Sequence, residues 1–138
     1  MTADTANQPK ASDTTTEGVR VVAVPTFRKE KSAPADFKWV WSYQITITNN
    51  GDRTVKLLSR HWSIVDGDGE RHDVRGEGVA GHQPELAPGQ SFEYTSFCPL
   101  EASWGTMEGE YSFLITQGSQ EGEMLDVRIG RFYLVSGT

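Results

Sequence analysis

The segment from Gly76 to Gly81 reads G-E-G-V-A-G and has the spacing G-x-G-x-x-G. In dinucleotide-binding proteins this spacing joins a strand to a helix, and the first N–H groups of that helix hold the pyrophosphate. Here two prolines and a further glycine between residues 82 and 89 exclude a helix. The glycines are therefore predicted to form a loop between strands, where they permit positive φ and close backbone approach.

A nest of backbone N–H groups that cups an anion such as pyrophosphate is the functional alternative for the same loop. Arg75 beside the loop favours this alternative, whereas Glu77 at its centre opposes it. The candidate residues for a ligand or a partner at the loop are Arg75, Gly76, Glu77, Gly78 and Gly81.

A second candidate site is an acidic hairpin turn that offers carboxylate oxygens to a divalent cation. Its candidate ligands are Asp66, Asp68 and Asp73, with Glu70 and His72 beside them. The spacing does not match an EF-hand, because Gly69 falls two positions early. A solvated turn is the preferred interpretation, a weak surface site for a divalent ion is the alternative, and no cofactor is predicted.

Composition narrows the classes of function. The net charge of −6 and the pI near 5.0 oppose binding to nucleic acid or to an anionic membrane. Cys98 is the only cysteine, so no internal disulfide is expected, and no stretch resembles a signal peptide or a membrane span. No G-x-S-x-G elbow or comparable signature positions a nucleophile, so no catalytic residue is predicted. We expect a cytoplasmic protein that is not an enzyme.

The elements that must position these residues are strands. Short segments alternate apolar and polar residues and are separated by glycine and proline turns, which predicts one all-β domain over residues 18–138. Residues 1–17 are small and polar, which predicts a disordered tail. The strands are predicted at 19–27, 37–49, 54–66, 70–75, 91–98, 110–116 and 124–135. About seven short strands indicate an antiparallel β-sandwich of immunoglobulin or fibronectin type III shape.

Details of the pattern give further expectations. Phe37, Trp39, Trp41 and Tyr43 share one face of a strand, so they are assigned to the core rather than to a stacking platform for bases. Asn50-Gly51-Asp52 predicts a tight hairpin.

Irregular positions are also predicted. A change of parity near Leu57-Leu58 predicts a bulge, and Gly130 predicts another. Trp62 has the parity of Leu58 and Ile64 beyond the first bulge, so it is predicted to be buried.

Six blocks carry a more specific signal. They are L-L-S-R-H-W (57–62), D-G-D-G (66–69), V-R-G-E-G-V-A-G (74–81), Q-P-E-L-A-P-G (83–89), F-E-Y-T-S (92–96) and G-T-M-E-G-E-Y (105–111). In this order they resemble the ApaG family, also called CorD, over roughly residues 19–135. The resemblance implies a fibronectin type III-like sandwich without a known catalytic residue set.

The resemblance also implies a biological context for the protein. The bacterial family is linked with cobalt resistance and magnesium efflux, and its genes often lie beside that of a diadenosine tetraphosphate hydrolase. Related domains in F-box proteins and in polymerase delta-interacting proteins look like binding modules.

We therefore expect a protein-interaction module whose partner surface comprises the loop 76–86 and the segment from Arg60 and His61 to Trp62. A specific partner should be lost when Arg60 or Glu77 is changed. A homodimer formed through sheet edges is a further alternative. The alternative is a sensor that binds pyrophosphate or a dinucleoside polyphosphate at the glycine loop, with a divalent cation at the acidic hairpin.

Overall fold

The computed structural model describes residues 10–137, and these form strands joined by turns and two short 3-10 segments. The nine strands of this part of the chain are β1 (Ser12–Thr16), β2 (Val19–Phe27), β3 (Trp39–Asn49), β4 (Thr54–Asp66), β5 (Arg71–Glu77), β6 (Glu85–Leu86), β7 (Ser91–Leu100), β8 (Trp104–Gln117) and β9 (Met124–Val135). The 3-10 segments are Lys29–Lys31 and Pro34–Asp36.

The strands form two antiparallel sheets that pack as a sandwich. The first sheet has the order β1-β2-β3-β7, and the second has the order β5-β4-β8-β9, with β6 also paired to β4. The prediction of an all-β antiparallel sandwich is confirmed, and β1 and β6 are additional to the seven strands expected. No helix among residues 10–137 is long and apolar enough to cross a membrane.

The core lies between the sheets and follows the period-two pattern of the sequence. On β3, Trp41, Tyr43, Ile45 and Ile47 are all buried. Their burial confirms that these aromatic residues belong to the core.

Trp62 is only 2% exposed and packs edge-on against one aromatic ring of the other sheet and two of its own sheet. The ring centroids are 5.4 Å from Tyr43, 6.4 Å from Tyr111 and 5.8 Å from Phe132. The prediction that Trp62 is buried is therefore confirmed, and so is the bulge near Leu57, where the register of β4 on β8 shifts between Leu57 and Ser59.

The prediction of a disordered tail over residues 1–17 is wrong for its last part, while residues 1–9 lie outside the described residues. Ser12–Thr16 form β1, which pairs with β2, and the Arg20 Nε donates a hydrogen bond of 2.8 Å to Asp13. Glu17 and Gly18 both have positive φ and reverse the chain. An edge strand needs backbone partners rather than apolar side chains, so counting apolar residues missed it.

The hairpin predicted at Asn50-Gly51-Asp52 is also wrong. β3 and β4 belong to different sheets, so this segment crosses between them. The buried side chain of Asn49 holds the crossing: its Nδ2 donates to the carbonyls of Arg53 (2.7 Å) and Leu86 (2.9 Å). The same side chain accepts a bond from Gly51 N at 3.0 Å, which stabilises the corner without a hairpin.

Phe37 does not share the core face of β3 as predicted. The strand begins at Trp39, and Phe37 lies before it in the left-handed conformation (φ 55°, ψ 44°) with 69% of its surface exposed. Pro34 starts a 3-10 turn that ends at Phe37, and this turn rotates the ring out of the alternation.

The bulge predicted at Gly130 is confirmed. Met107 pairs with Phe132 while Gly109 pairs with Ile129, so β9 has one extra residue at this point.

Candidate functional site

The sheets meet along one side of the sandwich and separate along the other. β5 ends the second sheet and β7 ends the first, and among residues 10–137 neither strand has a second neighbour in its sheet. The space between them, which we call the cleft, has a volume of about 370 Å³. Its apolar lining comprises Trp62, Ile64, Val74, Phe97, Cys98, Pro99, Leu100 and Met107.

Buried tyrosines lie in the lining of the cleft or pack against it: Tyr43 is a lining residue, and Tyr111 packs against the lining residue Trp62. The Tyr94 and Tyr111 hydroxyls lie 2.6 Å apart, and Tyr43 is hydrogen-bonded to Ser96. Burial raises the pKa of all three tyrosines above their ordinary range, and burial raises the pKa of the Cys98 thiol to about 12. These groups are therefore neutral at physiological pH and unsuited to act as bases or nucleophiles.

Arg60 lies at one end of the cleft and is engaged by the protein itself. Its Nη1 donates to the carbonyls of Glu77 (2.9 Å) and Gly78 (2.8 Å). The guanidinium covers Gly76, where an added Cβ would come within 2.7 Å of it. Arg60 thus fixes the start of the glycine loop, and its guanidinium occupies the space that a side chain at Gly76 would take.

Gly76 and Glu77 belong to β5, contrary to the prediction, and the rest of the glycine segment forms the predicted loop between β5 and β6. Gly78 (φ 63°) and Gly81 (φ 81°) have positive φ, and Val79 between them is fully buried. Gly78 N donates to Leu58 O, and Val79 and His82 exchange N–H···O bonds, each of these three bonds being 2.8 Å long. Three amide N–H groups of the loop thus donate hydrogen bonds within the protein and are not free to bind an anion.

The remaining predicted surface residues lie on the outer face of the second sheet, away from the cleft. Arg75 and Glu77 alternate with the cleft-facing residues of β5 and are exposed. His61 pairs opposite Arg75, and its ring nitrogens lie 3.4 Å from Asp73 and 3.9 Å from Glu110. Arg60 and His61 therefore face opposite sides of the sheet, and the structure does not bring them together.

The predicted metal ligands of the acidic hairpin also lie on opposite faces of the sheet. Ligand atoms of Asp66, Glu70 and His72 lie within 4.8 Å of one another, so two carboxylates and an imidazole meet. Asp66 is buried and its Oδ1 accepts the backbone N–H groups of Asp68 (2.9 Å) and Glu70 (3.1 Å), which is the ordinary role of an Asx turn. Asp73 lies on the outer face beside His61 and Arg71, so it does not belong to this group.

A second groove, which we call the acidic groove, continues from the cleft and has a volume of about 650 Å³. The two share His72, Pro99 and Leu100. The acidic side chains that line the groove are Asp36, Asp66, Glu70 and Glu101, and the basic ones are Lys38 and His72. Phe37 is exposed at its rim.

Sequence reasoning missed the cleft because it ranked residues by chemical type rather than by their position in a sheet. Two signals were present. Val74 is an isolated apolar residue in the charged run R-H-D-V-R-G-E, and Pro99 lies in a strand, which is typical of a sheet edge.

The topology and the cleft define a class: a two-sheet fibronectin type III-like sandwich with one open side. The ApaG domain model matches residues 29–115. The protein named ApaG from Bradyrhizobium sp. (strain BTAi1) is 50% identical over 121 residues, which cover 88% of this chain and 89% of that protein. The ApaG protein from Anaeromyxobacter dehalogenans is 44% identical over 124 residues, covering 90% and 94%. This chain belongs to the ApaG family.

Solved structures agree with this assignment. The crystal structure of a Bordetella pertussis protein described as ApaA superimposes with a TM-score of 0.81 at 40% identity, covering 86% of this chain and 94% of that one. A second X-ray structure superimposes with a TM-score of 0.78 at 32% identity, covering 87% and 88%. The resemblance drawn from the six sequence blocks is therefore confirmed.

Proposed function

We propose that this chain is a non-enzymatic protein-interaction module of ApaG type whose partner-binding surface is the cleft and the acidic groove. The observation that carries the proposal is the cleft, an apolar space of about 370 Å³ between two strand edges. Pockets of this volume with an apolar lining and few polar groups are typical binding sites. Arg60 is engaged in holding the loop and His61 lies on the outer face of the second sheet, so neither is assigned to this surface as a partner contact.

The partner that fits is an extended segment of another protein. The free edge of β7 offers backbone N–H and C=O groups to such a segment, and a strand added at an edge gains affinity from these main-chain bonds. An apolar side chain of the segment would enter the cleft between Val74 and Leu100. In strand addition, side-chain pockets of this kind provide the specificity.

The acidic groove adds a charge requirement. Four carboxylates line it against Lys38 and His72, so a basic side chain next to the apolar one is complementary. Phe37 presents an exposed ring at the rim, where a Lys or Arg side chain of the partner can stack.

The backbone at Phe37 supports a binding role. A bulky residue with positive φ is unusual and costs free energy, and such strain is found most often at functional sites. Replacing Phe37 by asparagine, which tolerates this conformation, removes the ring without loss of stability. Binding would then fall while the free energy of unfolding stays equal or rises.

The proposal is tested by selecting binders from a random library of displayed peptides on the immobilised protein. We expect the selected peptides to share an apolar side chain next to Lys or Arg. Glu101→Lys, in the acidic groove, should weaken their binding about tenfold, the equivalent of one well-placed charge interaction. Glu121→Lys, in the turn between β8 and β9, is the matched control and should leave the affinity unchanged.

NMR titration with a selected peptide locates the contact. Shifts should concentrate on the methyl groups of Ile64, Val74 and Met107 in the cleft. The proposal fails if no peptide is enriched over an unrelated sandwich domain, or if Glu101→Lys and Glu121→Lys weaken binding equally.

The alternative is a sensor for pyrophosphate or a dinucleoside polyphosphate at the glycine loop. It is supported by the exposed position of Arg75, and it is weakened by the three loop amides that are donated inside the protein. Adding pyrophosphate in the same NMR experiment separates the two functions, because a sensor would show saturable shifts confined to residues 75–81. The family links with cobalt and magnesium stay expectations drawn from the resemblance.

A further inference from the structure

β5 is an exposed edge strand of the second sheet. Its seven residues pair with β4 on one side, no other strand within residues 10–137 pairs with them, and every residue except Gly76 is exposed. An edge strand of this length presents a row of backbone donors and acceptors that another strand can pair with. The side chains of β5 determine which kind of strand can pair with this edge.

The charges on the outer face of β5 alternate in sign. Arg71, Asp73, Arg75 and Glu77 lie on this face, because successive side chains of a strand point to opposite sides. Their order is therefore positive, negative, positive, negative. The other face carries His72, Val74 and Gly76, with Val74 at the centre of the strand.

This order is complementary to itself when the strand is reversed. We propose that two copies of this chain form a symmetric dimer in which their β5 strands pair antiparallel about a two-fold axis at Val74. Arg71 then lies opposite Glu77 of the partner subunit, and Asp73 lies opposite Arg75 of the partner subunit. Each of these pairs occurs twice, and Val74 meets its own copy on the cleft-facing side.

The charges select this register against its neighbours. A two-fold axis perpendicular to the sheet keeps the two faces distinct, so the axis must pass through a residue. An axis at Asp73 would oppose Arg71 to Arg75 and Asp73 to itself. An axis at Arg75 would oppose Asp73 to Glu77 and Arg75 to itself. All of these are like-charge pairs, which destabilise a sheet when they lie directly opposite.

The dimer would leave most of the proposed partner surface accessible. The free edge of β7 belongs to the other sheet, and of the residues that line the acidic groove only His72 lies on β5. Val74 lines the cleft, so the clefts of the two copies would lie on either side of the two-fold axis. The dimer does not depend on the proposed function and is measured without any peptide.

Sedimentation of the purified chain over a wide concentration range tests the dimer. We expect a reversible monomer–dimer equilibrium that weakens as salt is added, since the ladder of charges is exposed. Arg75→Glu places like charges opposite Asp73 of the partner subunit and should weaken the dimer about tenfold or more. Glu93→Lys, a charge change on the other sheet, should leave it unchanged.

The decisive variant exchanges the two central charges. Asp73→Arg together with Arg75→Asp recreates opposite-charge pairs across the axis, so it should restore the dimer that either single change weakens. A chain that stays monomeric at low salt and high concentration overturns the proposal. A dimer that is indifferent to Arg75→Glu, or that the double exchange fails to restore, overturns it as well.

Oxidative cross-linking checks the register. Directly opposite Cβ atoms lie about 4.5–5.5 Å apart in an antiparallel pair, which a disulfide can span with small adjustment. Val74→Cys should therefore give a covalent dimer, whereas Asp73→Cys should not, because its opposite residue is Arg75 of the partner subunit. Equal cross-linking of both variants would contradict an axis at Val74.

Discussion

The two long sides of the sandwich are built differently. On the closed side, strands of both sheets meet: Tyr133 N on β9 donates to Lys10 O at 3.0 Å, and Arg128 N donates to the hydroxyl of Thr16 at 3.1 Å. On the open side, β5 and β7 are separated by the cleft, and Val74 and Phe97 are exposed. Polar backbone bonds seal the first side, while the second side leaves apolar surface in contact with water.

The difference depends on small residues on the closed side. An added Cβ at Gly130 would collide with the Thr14 hydroxyl, so the glycine bulge of β9 allows β1 to lie against it. No comparable strand covers β5 or β7 among residues 10–137. Closure is thus achieved by the close approach of β1 side chains to the backbone of β9, and the open side keeps the features expected of a binding surface.

The largest effect is expected where the two sides share a core. Truncation of Trp62 to alanine removes a 2% exposed ring with three aromatic neighbours, and this should cost about 3–5 kcal/mol of unfolding free energy. Equilibrium denaturation with urea measures the loss. A midpoint equal to that of the wild type would contradict the packing described for the core.

The adjacent residue on the same strand provides the control. His61 points to the outer face, so His61→Ala should change the unfolding free energy by no more than about 0.5 kcal/mol. A loss as large as that of Trp62→Ala would show that the two faces of β4 are not distinct.

A smaller effect is expected on the closed side. Gly130→Ala should destabilise the protein by about 1–3 kcal/mol, because the new methyl group collides with the Thr14 hydroxyl. Adding Thr14→Ala removes that hydroxyl and should recover most of the loss, since the next nearest atoms lie at 3.4 Å or beyond. Urea denaturation of the two single variants and the double variant gives the coupling energy.

The double-mutant cycle also decides what seals the closed side. If the losses of unfolding free energy in the two single variants simply add in the double variant, β1 is not held against Gly130. A different contact must then close this side of the sandwich. Faster hydrogen exchange of the β1 amides in Gly130→Ala alone would support the described contact.

Much of the fold was predictable because the alternation of apolar and polar residues along a long strand identifies its buried face. The bounds of β2, β4 and β9 agree with the prediction, and both bulges were visible as changes of parity or as a glycine. β1 was missed because its polar side chains leave no apolar pattern, and the crossing at residues 50–52 was missed because it depends on a partner far along the chain. Asn49 holds that crossing through Leu86, and no local pattern reveals such a bond.

The candidate site was less predictable than the fold. The glycine loop was recognised as a loop, but the role of Arg60 in holding it needs a contact seventeen and eighteen residues away. The cleft arises where two sheets fail to cover each other, which is a property of strand order rather than of any motif.

The smallest expected effect concerns alkaline pH on the open side. Burial raises the pKa of Cys98 from its ordinary 9.0 to about 12. The thiol therefore ionises in the unfolded chain before it ionises in the folded protein, and the unfolded state binds fewer protons between these values. The free energy of unfolding must fall as pH rises above 9, by at most about 1.4 kcal/mol per pH unit for one group.

The variant Cys98→Ala isolates this contribution, because alanine does not titrate. Between pH 9 and 10 the wild type should lose about 1 kcal/mol more unfolding free energy than the variant, as measured by urea denaturation at each pH. Above pH 10 both proteins should weaken further, because burial also raises the pKa of Tyr43, Tyr94 and Tyr111. Since these groups lie at and beneath the cleft, identical pH slopes below pH 10 would mean that water reaches Cys98 and that the open side is wider than described.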